Sequence, residues 1–281
     1  MIKKPKWLSI KLPIGKKYRK LRDILKKNKL NTICSSGNCP NIGKCWVKGI
    51  ATFMILGNIC TRSCKFCNVK TGKPKKDIDW NEPQKIANSI KIMKIKHVVI
   101  TSVTRDDLED MGSIIWQETI KYIRKINPNT TIETLIPDFR GKLFLIDPII
   151  SLKPEIISHN LETVRRLNKK VRVQAKYDRS IELLQYLKYN GQNFTKTGIM
   201  LGLGEKNEEI INTMKDIKNS SVDIITIGQY LQPSKKHLPV YNFILPKMFK
   251  KYKKIGFKMG FKHIESGPLV RSSYNAKKHL K

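Results

Sequence analysis

The chain has 281 residues, a net charge of +34, 40% hydrophobic residues and 28% charged ones. The length suits one large domain with short extensions, and the composition excludes a disordered chain. No apolar run is long enough to cross a bilayer, and Pro5 and Pro13 interrupt the basic N-terminus where a secretory or transit segment would need continuity.

The chain therefore reads as cytoplasmic, with no membrane partner. Residues 1–50 form a Lys-rich extension with one helix expected over Tyr18–Lys27. From Ala51 short apolar runs alternate with amphipathic stretches. Strands are expected at Ala51–Leu56, His97–Ser102, Thr131–Ile136, Glu155–Ser158, Lys196–Leu201 and Asp223–Ile227, with a shorter one at Lys262–Glu265. Helices are expected between them at Pro83–Lys94, Ser113–Ile126, Ser180–Tyr189, Glu205–Lys218 and Pro246–Phe257. In the first of these Ile86, Ala87, Ile90 and Met93 share one face. Strands alternating with helices imply βαβ units and a parallel sheet, either doubly wound or a partial β/α barrel. The polar motifs follow strands directly, at Thr101–Asp107, His159–Thr163, Gly202–Glu205 and Gln229–Ser234. In a barrel such loops share one mouth, where active sites form.

Basic residues gather at both ends. The first thirty residues hold twelve Lys/Arg against Asp23 alone, and residues 247–281 hold eleven against Glu265 alone. Abundant Lys, Ile and Asn point to compositional drift, but such a field also speeds encounter with an acidic partner.

All six cysteines fall between Cys34 and Cys67. Cys34, Cys39 and Cys45 are spaced C-x4-C-x5-C; Cys60, Cys64 and Cys67 are spaced C-x3-C-x2-C, in a loop just after an apolar strand. Three thiolates so close can bind three irons of a cubane cluster and leave the fourth open. Zinc is a rival, but structural zinc takes four ligands in paired short spacings and no His lies near either triplet. Disulfides run against the reducing compartment, and the clustering runs against unrelated buried thiols.

Cys60-Thr-Arg-Ser-Cys-Lys-Phe-Cys67 resembles the signature of the radical S-adenosylmethionine (SAM) superfamily. Cys34-Ser-Ser-Gly-Asn-Cys-Pro-Asn-Ile-Gly-Lys-Cys45 and Ala51-Thr-Phe-Met-Ile-Leu-Gly57 resemble the lipoyl synthase family within it. So do Val98–Ser102, Arg105–Asp107, Pro137–Phe139, His159–Val164, Gly198–Glu205, Thr226–Ser234 and Ser266–Tyr274, the last with an R-S-S-Y motif. Asn275 and Lys277 stand where that family commonly has His and Asp.

The resemblance implies a fold and a chemistry. The fold is α/β, a partial (β/α)6-type barrel over 51–260 with the N-terminal extension 1–50 and a C-terminal segment 261–281. The chemistry is insertion of two sulfur atoms, at C6 and C8, into a protein-bound octanoyl chain. It implies two 4Fe–4S clusters, an open iron on the Cys60, Cys64 and Cys67 cluster that binds SAM, and an auxiliary cluster on Cys34, Cys39 and Cys45 that supplies sulfur. Ser273 is implied as the fourth auxiliary ligand. Arg105, Asp106, Asn160, Glu162, Gly202, Gly204 and Glu205 are the candidate SAM contacts, with structural ion pairs or an ordinary turn as their plain alternatives. Gln229, Tyr230 and Gln232 are candidates for the octanoyl channel. No histidine receives a ligand role. The implied partners are octanoylated lipoyl carrier domains, read as acidic, and a reduced electron-donor protein. A rival reading is a radical SAM enzyme that inserts sulfur into RNA; neither end carries a separate nucleic-acid-binding module.

Overall fold

The structure is a computed structural model that describes residues 3–10, 15–47, 50–74, 78–191, 194–274, 276 and 279. Asn275 and Lys277 lie outside the described residues. The chain forms two units, the first from Ile10–Arg62 and Asn68–Glu155, the second from Met1–Ser9, Ser63–Cys67 and Ile156–Lys281.

In the first unit α1 (Lys16–Lys27) turns Leu21 and Leu25 inward and leaves its lysines and arginines exposed. β1 (Asn31–Thr32) leads into α2 (Ile33–Ser36), where the Thr32 hydroxyl caps the helix by accepting the Ser35 N–H. α3 (Ile42–Val47) packs on α1. Its Trp46 ring stacks on Tyr18 with centroids 5.1 Å apart. β2 (Thr52–Ile55) is buried at every residue, the pattern of a parallel strand covered on both faces. β3 (Ile59–Cys60) and β4 (Lys70–Thr71) make a separate parallel ribbon. Then come α4 (Glu82–Met93), β5 (His97–Ser102), α5 (Ser113–Ile126), β6 (Thr131–Leu135) and α6 (Asp147–Ser151). The strand order is β1-β2-β5-β6, with β1 antiparallel to β2 and the others parallel. α5 buries Ile115, Trp116, Ile120 and Ile123 along one stripe. Each such side chain contributes roughly 1.5–3 kcal/mol.

The second unit runs β7 (Ile156–Ser158), α7 (Asn168–Val171), α8 (Tyr177–Asn190), β8 (Phe194–Leu201), α9 (Asn207–Asn219), β9 (Ile224–Gln229), α10 (Pro246–Lys258) and β10 (His263–Gly267). Its strands lie in the order β7-β8-β9-β10, all parallel. Ile199, Leu201, Ile225 and Ile227 of the strands share a core with Leu184, Met214, Ile217 and Phe249 of the helices.

The expected strands and helices are present, most of them with ends shifted by a few residues. β1 was not foreseen: it is two residues long and no alternation can show in it. α9 begins at Asn207 rather than Glu205, because the Glu205 carboxylate turns back and accepts the N–H groups of Gly202 and Leu203 at 2.9 and 3.1 Å. Among the described residues no helix is long and apolar enough to cross a membrane.

Candidate functional site

The C-x3-C-x2-C segment divides between the units: Cys60 to Arg62 belong to the first, Ser63 to Cys67 to the second. In the first unit Cys60 ends β3. Its Sγ accepts backbone N–H groups from Arg62 at 3.4 Å and from Thr104 at 3.3 Å. Thr61 is tied to the Thr104 carbonyl through its N–H at 3.0 Å and its hydroxyl at 2.9 Å. The Arg62 guanidinium, 6% exposed, binds Asp106 through two nitrogens at 2.7 and 3.0 Å and meets Asp138 at 2.6 Å. These two carboxylates raise its pKa well above the usual arginine value against the opposing effect of burial. The loop that carries Cys60 is thus pinned by a buried, bidentate ion pair.

Two positions hold the approach to that loop. Leu56 and Gly57 both have positive φ, 69° and 91°. Glu82, in the first turn of α4, accepts the Leu56 N–H at 2.7 Å. Burial pushes the Glu82 carboxyl up to about 7, partly offset by its bonds to the Leu56 and Gly57 backbone.

In the second unit the segment from Ser63 to Cys67 is tethered on two sides. The Ser63 N–H donates to the Gln174 side chain and the Gln174 amide donates to the Ser63 hydroxyl, each at 3.1 Å. The Lys65 N–H reaches the Val171 carbonyl at 2.9 Å, and its carbonyl accepts the Leu238 N–H at 3.1 Å. His237 Nε2 lies 3.0 Å from the Cys67 carbonyl oxygen.

The other triplet lies wholly in the first unit. Cys34 sits on α2, Cys45 on α3 and Cys39 between them. The Cys39 N–H donates to the Cys34 carbonyl at 3.0 Å, and the Cys45 N–H to that of Asn41 at 2.9 Å. Burial pushes the Cys34 thiol up, and neighbouring Cys39 adds to the rise. No disulfide joins any of the six cysteines; Cys34 is buried and the others half-buried. Among the described residues no three His, Cys, Asp or Glu side chains converge as a single-ion site. A cubane takes one thiolate per iron, and soft thiolates that accept N–H bonds, as Cys60 does, are the donor set iron–sulfur clusters use.

The candidate SAM contacts fall in both units. Arg105 forms a bidentate pair with Asp107 at 2.8 and 2.9 Å, which holds the Asp107 carboxyl below its usual range. Asp106 is engaged by Arg62. In the second unit the Asn160 amide donates to Glu162 at 2.9 Å, while its buried Oδ1 has no hydrogen-bond partner. Glu162 has φ 66° and bridges to Ile199 of β8. Burial raises its carboxyl, opposed by the Asn160 bond and by the charges of Arg172 and Arg271. Next to it a Cβ on Gly198 would meet Thr226 Oγ1 at 2.6 Å and Asn160 Oδ1 at 3.1 Å. Gly202 and Gly204 both have φ 106°; a Cβ on Gly202 would strike the Gln229 amide at 2.2 Å, and Gly204 lies under the Tyr241 ring. Ser273 is half-buried in the turn closed by the Tyr274 N–H on the Arg271 carbonyl at 2.8 Å.

The side chains considered for the octanoyl channel have their polar atoms engaged within their own loop. Gln229 binds the Tyr230 and Asn242 carbonyls and the Ile244 N–H, Tyr230 donates to the Leu238 carbonyl, and Gln232 donates to that of His237. Sequence reasoning missed Glu82, Arg62 and His237. Only Arg62 carried a signal, as a basic residue inside a cysteine motif.

The sequence profile of the Radical SAM superfamily matches residues 54–217. The chain is 66% identical to the lipoyl synthase of Flavobacterium psychrophilum, over 99% of this chain and 95% of that protein. It is 65% identical to the mitochondrial lipoyl synthase of Nematostella vectensis, over 99% of this chain and 95% of that one. The chain belongs to the lipoyl synthase family. This family member is a radical SAM enzyme that inserts sulfur, and its cofactors are two 4Fe–4S clusters and SAM. The fold is the superfamily's partial barrel. Streptococcus suis SuiB bound to S-adenosylmethionine superposes with a TM-score of 0.61 at 13% identity, over 89% of this chain and 60% of that one. Methylornithine synthase superposes with a TM-score of 0.56 at 13% identity, over 89% and 82%. The RNA-directed reading finds no support among these relatives.

Proposed function

We propose that this enzyme inserts sulfur at C6 and C8 of an octanoyl chain held in amide linkage on a lysine of a lipoyl carrier domain. The observation that carries this is identity of 65–66% with lipoyl synthases over 99% of the chain, in a protein whose six cysteines form two separate triplets.

Cys60, Cys64 and Cys67 would hold the cluster that keeps an iron open for SAM. Cys34, Cys39, Cys45 and Ser273 would hold the auxiliary one. A serine oxygen is a hard ligand among soft thiolates, so the iron it holds is the more easily released. Bound there, the clusters and SAM supply the one-electron chemistry, the hydrogen abstraction and the sulfur. The protein's part is to place and exclude. Asn160 and Glu162 are the strongest SAM contacts, since a buried amide oxygen without a partner fits a ligand amine or hydroxyl. Gly202, Gly204 and Glu205 shape the loop beside them, and Arg105 and Asp106 supply charge from the loop after β5. We retain 1–50, 51–260 and 261–281 as the functional segments. The exposed basic face of α1, with Lys16, Arg19, Lys20 and Lys27, suits an acidic carrier domain or electron donor. Six cysteines with no disulfide among them suit a reducing cytoplasm.

The test is an anaerobic assay with SAM, a reductant and an octanoylated carrier domain, read by mass spectrometry. Two sulfur atoms gained per chain are expected from the parent. Ser273→Ala is expected to keep the cluster on Cys60, Cys64 and Cys67 and lose sulfur insertion. Cleavage of SAM by the parent without sulfur transfer would reject the substrate, and full lipoyl formation by Ser273→Ala would reject the ligand.

A further inference from the structure

The half of the cysteine segment from Ser63 to Cys67 connects to its unit at several points, and Phe66 within it packs against the unit's core. Two are backbone bonds of Lys65, to Val171 and Leu238. Gln174 grips Ser63 at the near end. At the far end the His237 side chain meets the Cys67 carbonyl, across 170 residues of sequence.

The chemistry of this contact fixes the imidazole. A carbonyl oxygen only accepts, so Nε2 carries the proton and donates to Cys67. Nδ1 faces the Ser234 hydroxyl at 2.9 Å, a group that can donate or accept. The ring is held again through its own backbone. The His237 N–H reaches the Ser234 carbonyl at 3.0 Å, and the His237 carbonyl accepts the Gln232 amide at 2.9 Å. Next along, the Leu238 carbonyl accepts the hydroxyl of Tyr230, 1% exposed, at 2.7 Å. The loop after β9 is therefore a rigid arm that ends in a donor aimed at the backbone of Cys67.

We propose that His237 is a positioning residue for cluster binding, whose Nε2–H on the Cys67 carbonyl fixes the stretch that carries Cys64 and Cys67. This rests on the reading of Cys67 as a cluster ligand. A thiolate delivered by a loose loop binds iron only after the loop is ordered, whereas a held carbonyl leaves one Cα–Cβ rotation to set. Loss of one such hydrogen bond changes an equilibrium about five- to tenfold.

The experiment uses the full chain, anaerobically reconstituted, with Cys34, Cys39 and Cys45 replaced by Ala so that one cluster site remains. Iron release to a ferrous chelator and the electron paramagnetic resonance of the reduced cluster, with and without SAM, are measured. His237→Ala is expected to release iron about five- to tenfold faster and to show a broadened signal with a smaller response to SAM. His237→Gln, whose amide can still donate, is expected to stay within about twofold of the parent. Ser234→Ala keeps the ring and removes its lock, so a smaller change in the same direction is expected, and this decides the matter should His237→Ala not fold. Release by His237→Ala within about twofold of the parent overturns the proposal, as does a His237→Gln no better than His237→Ala. Cys67→Ala separates the two levels of the argument. Slow release from that variant rejects the ligand reading itself, whereas rapid release beside an unchanged His237→Ala rejects the role of His237 alone.

Discussion

Glu82 shows how far one carboxyl is moved by its surroundings. It is 6% exposed, faces the backbone of Leu56 and Gly57, and titrates at about 7 instead of 4.5. As pH rises the unfolded chain ionises this group first, so its contribution to stability is complete below about 4.5 and lost as pH climbs through about 7. The change is on the order of 3 kcal/mol. Glu82→Gln keeps an acceptor oxygen and has no charge to desolvate. Its melting temperature is expected to exceed the parent's by roughly 5 °C at pH 8 and to match it near pH 4.5; a constant difference at both pH values would contradict the assignment. Nothing in the sequence marks Glu82 or His237, because their partners lie 26 and 170 residues away. The cysteine triplets were legible because their spacing spans only a few residues and is written in the chain itself.

At the scale of elements, legibility followed pattern length. β5 and α5 have the ends expected of them, His97–Ser102 and Ser113–Ile126, since a buried strand centred on Val98, Val99 and Ile100 and a long amphipathic stripe each carry a clear signal. β1 and the short helices carrying Cys34 and Cys45 have too few residues to show a period, so the extension read as less structured than it is. The junction before α5 is where an element and a loop meet most tightly. Gly112 has φ 86°, and a Cβ there would lie 2.4 Å from Leu56 Cδ1. Leu56 is itself held at positive φ beside Glu82. Gly112→Ala meets both a backbone penalty and a packed side chain, with an expected cost of about 2–4 kcal/mol by chemical denaturation. A loss under about 0.5 kcal/mol would mean that Leu56 can move aside.

Across the whole molecule, the match to lipoyl synthases covers 99% of the chain, so residues 1–50 belong to the working enzyme and not to an appendage. Their three cysteines give one reason. β1 gives another. β2 is buried at all four residues and parallel to β5 on one side; on the other, Asn31 and Thr32 pair with Met54 and Phe53. Without them an apolar strand would present open N–H and C=O groups, the template on which a second chain can add. A chain lacking residues 1–50 is expected to aggregate, as light scattering would report, while the full chain with Cys34, Cys39 and Cys45 replaced by Ala stays dispersed. A dispersed truncated chain would show that this edge needs no cover. The two residues of β1 thus act as an end-stop: where a parallel sheet could keep recruiting strands from other molecules, one antiparallel pairing finishes it.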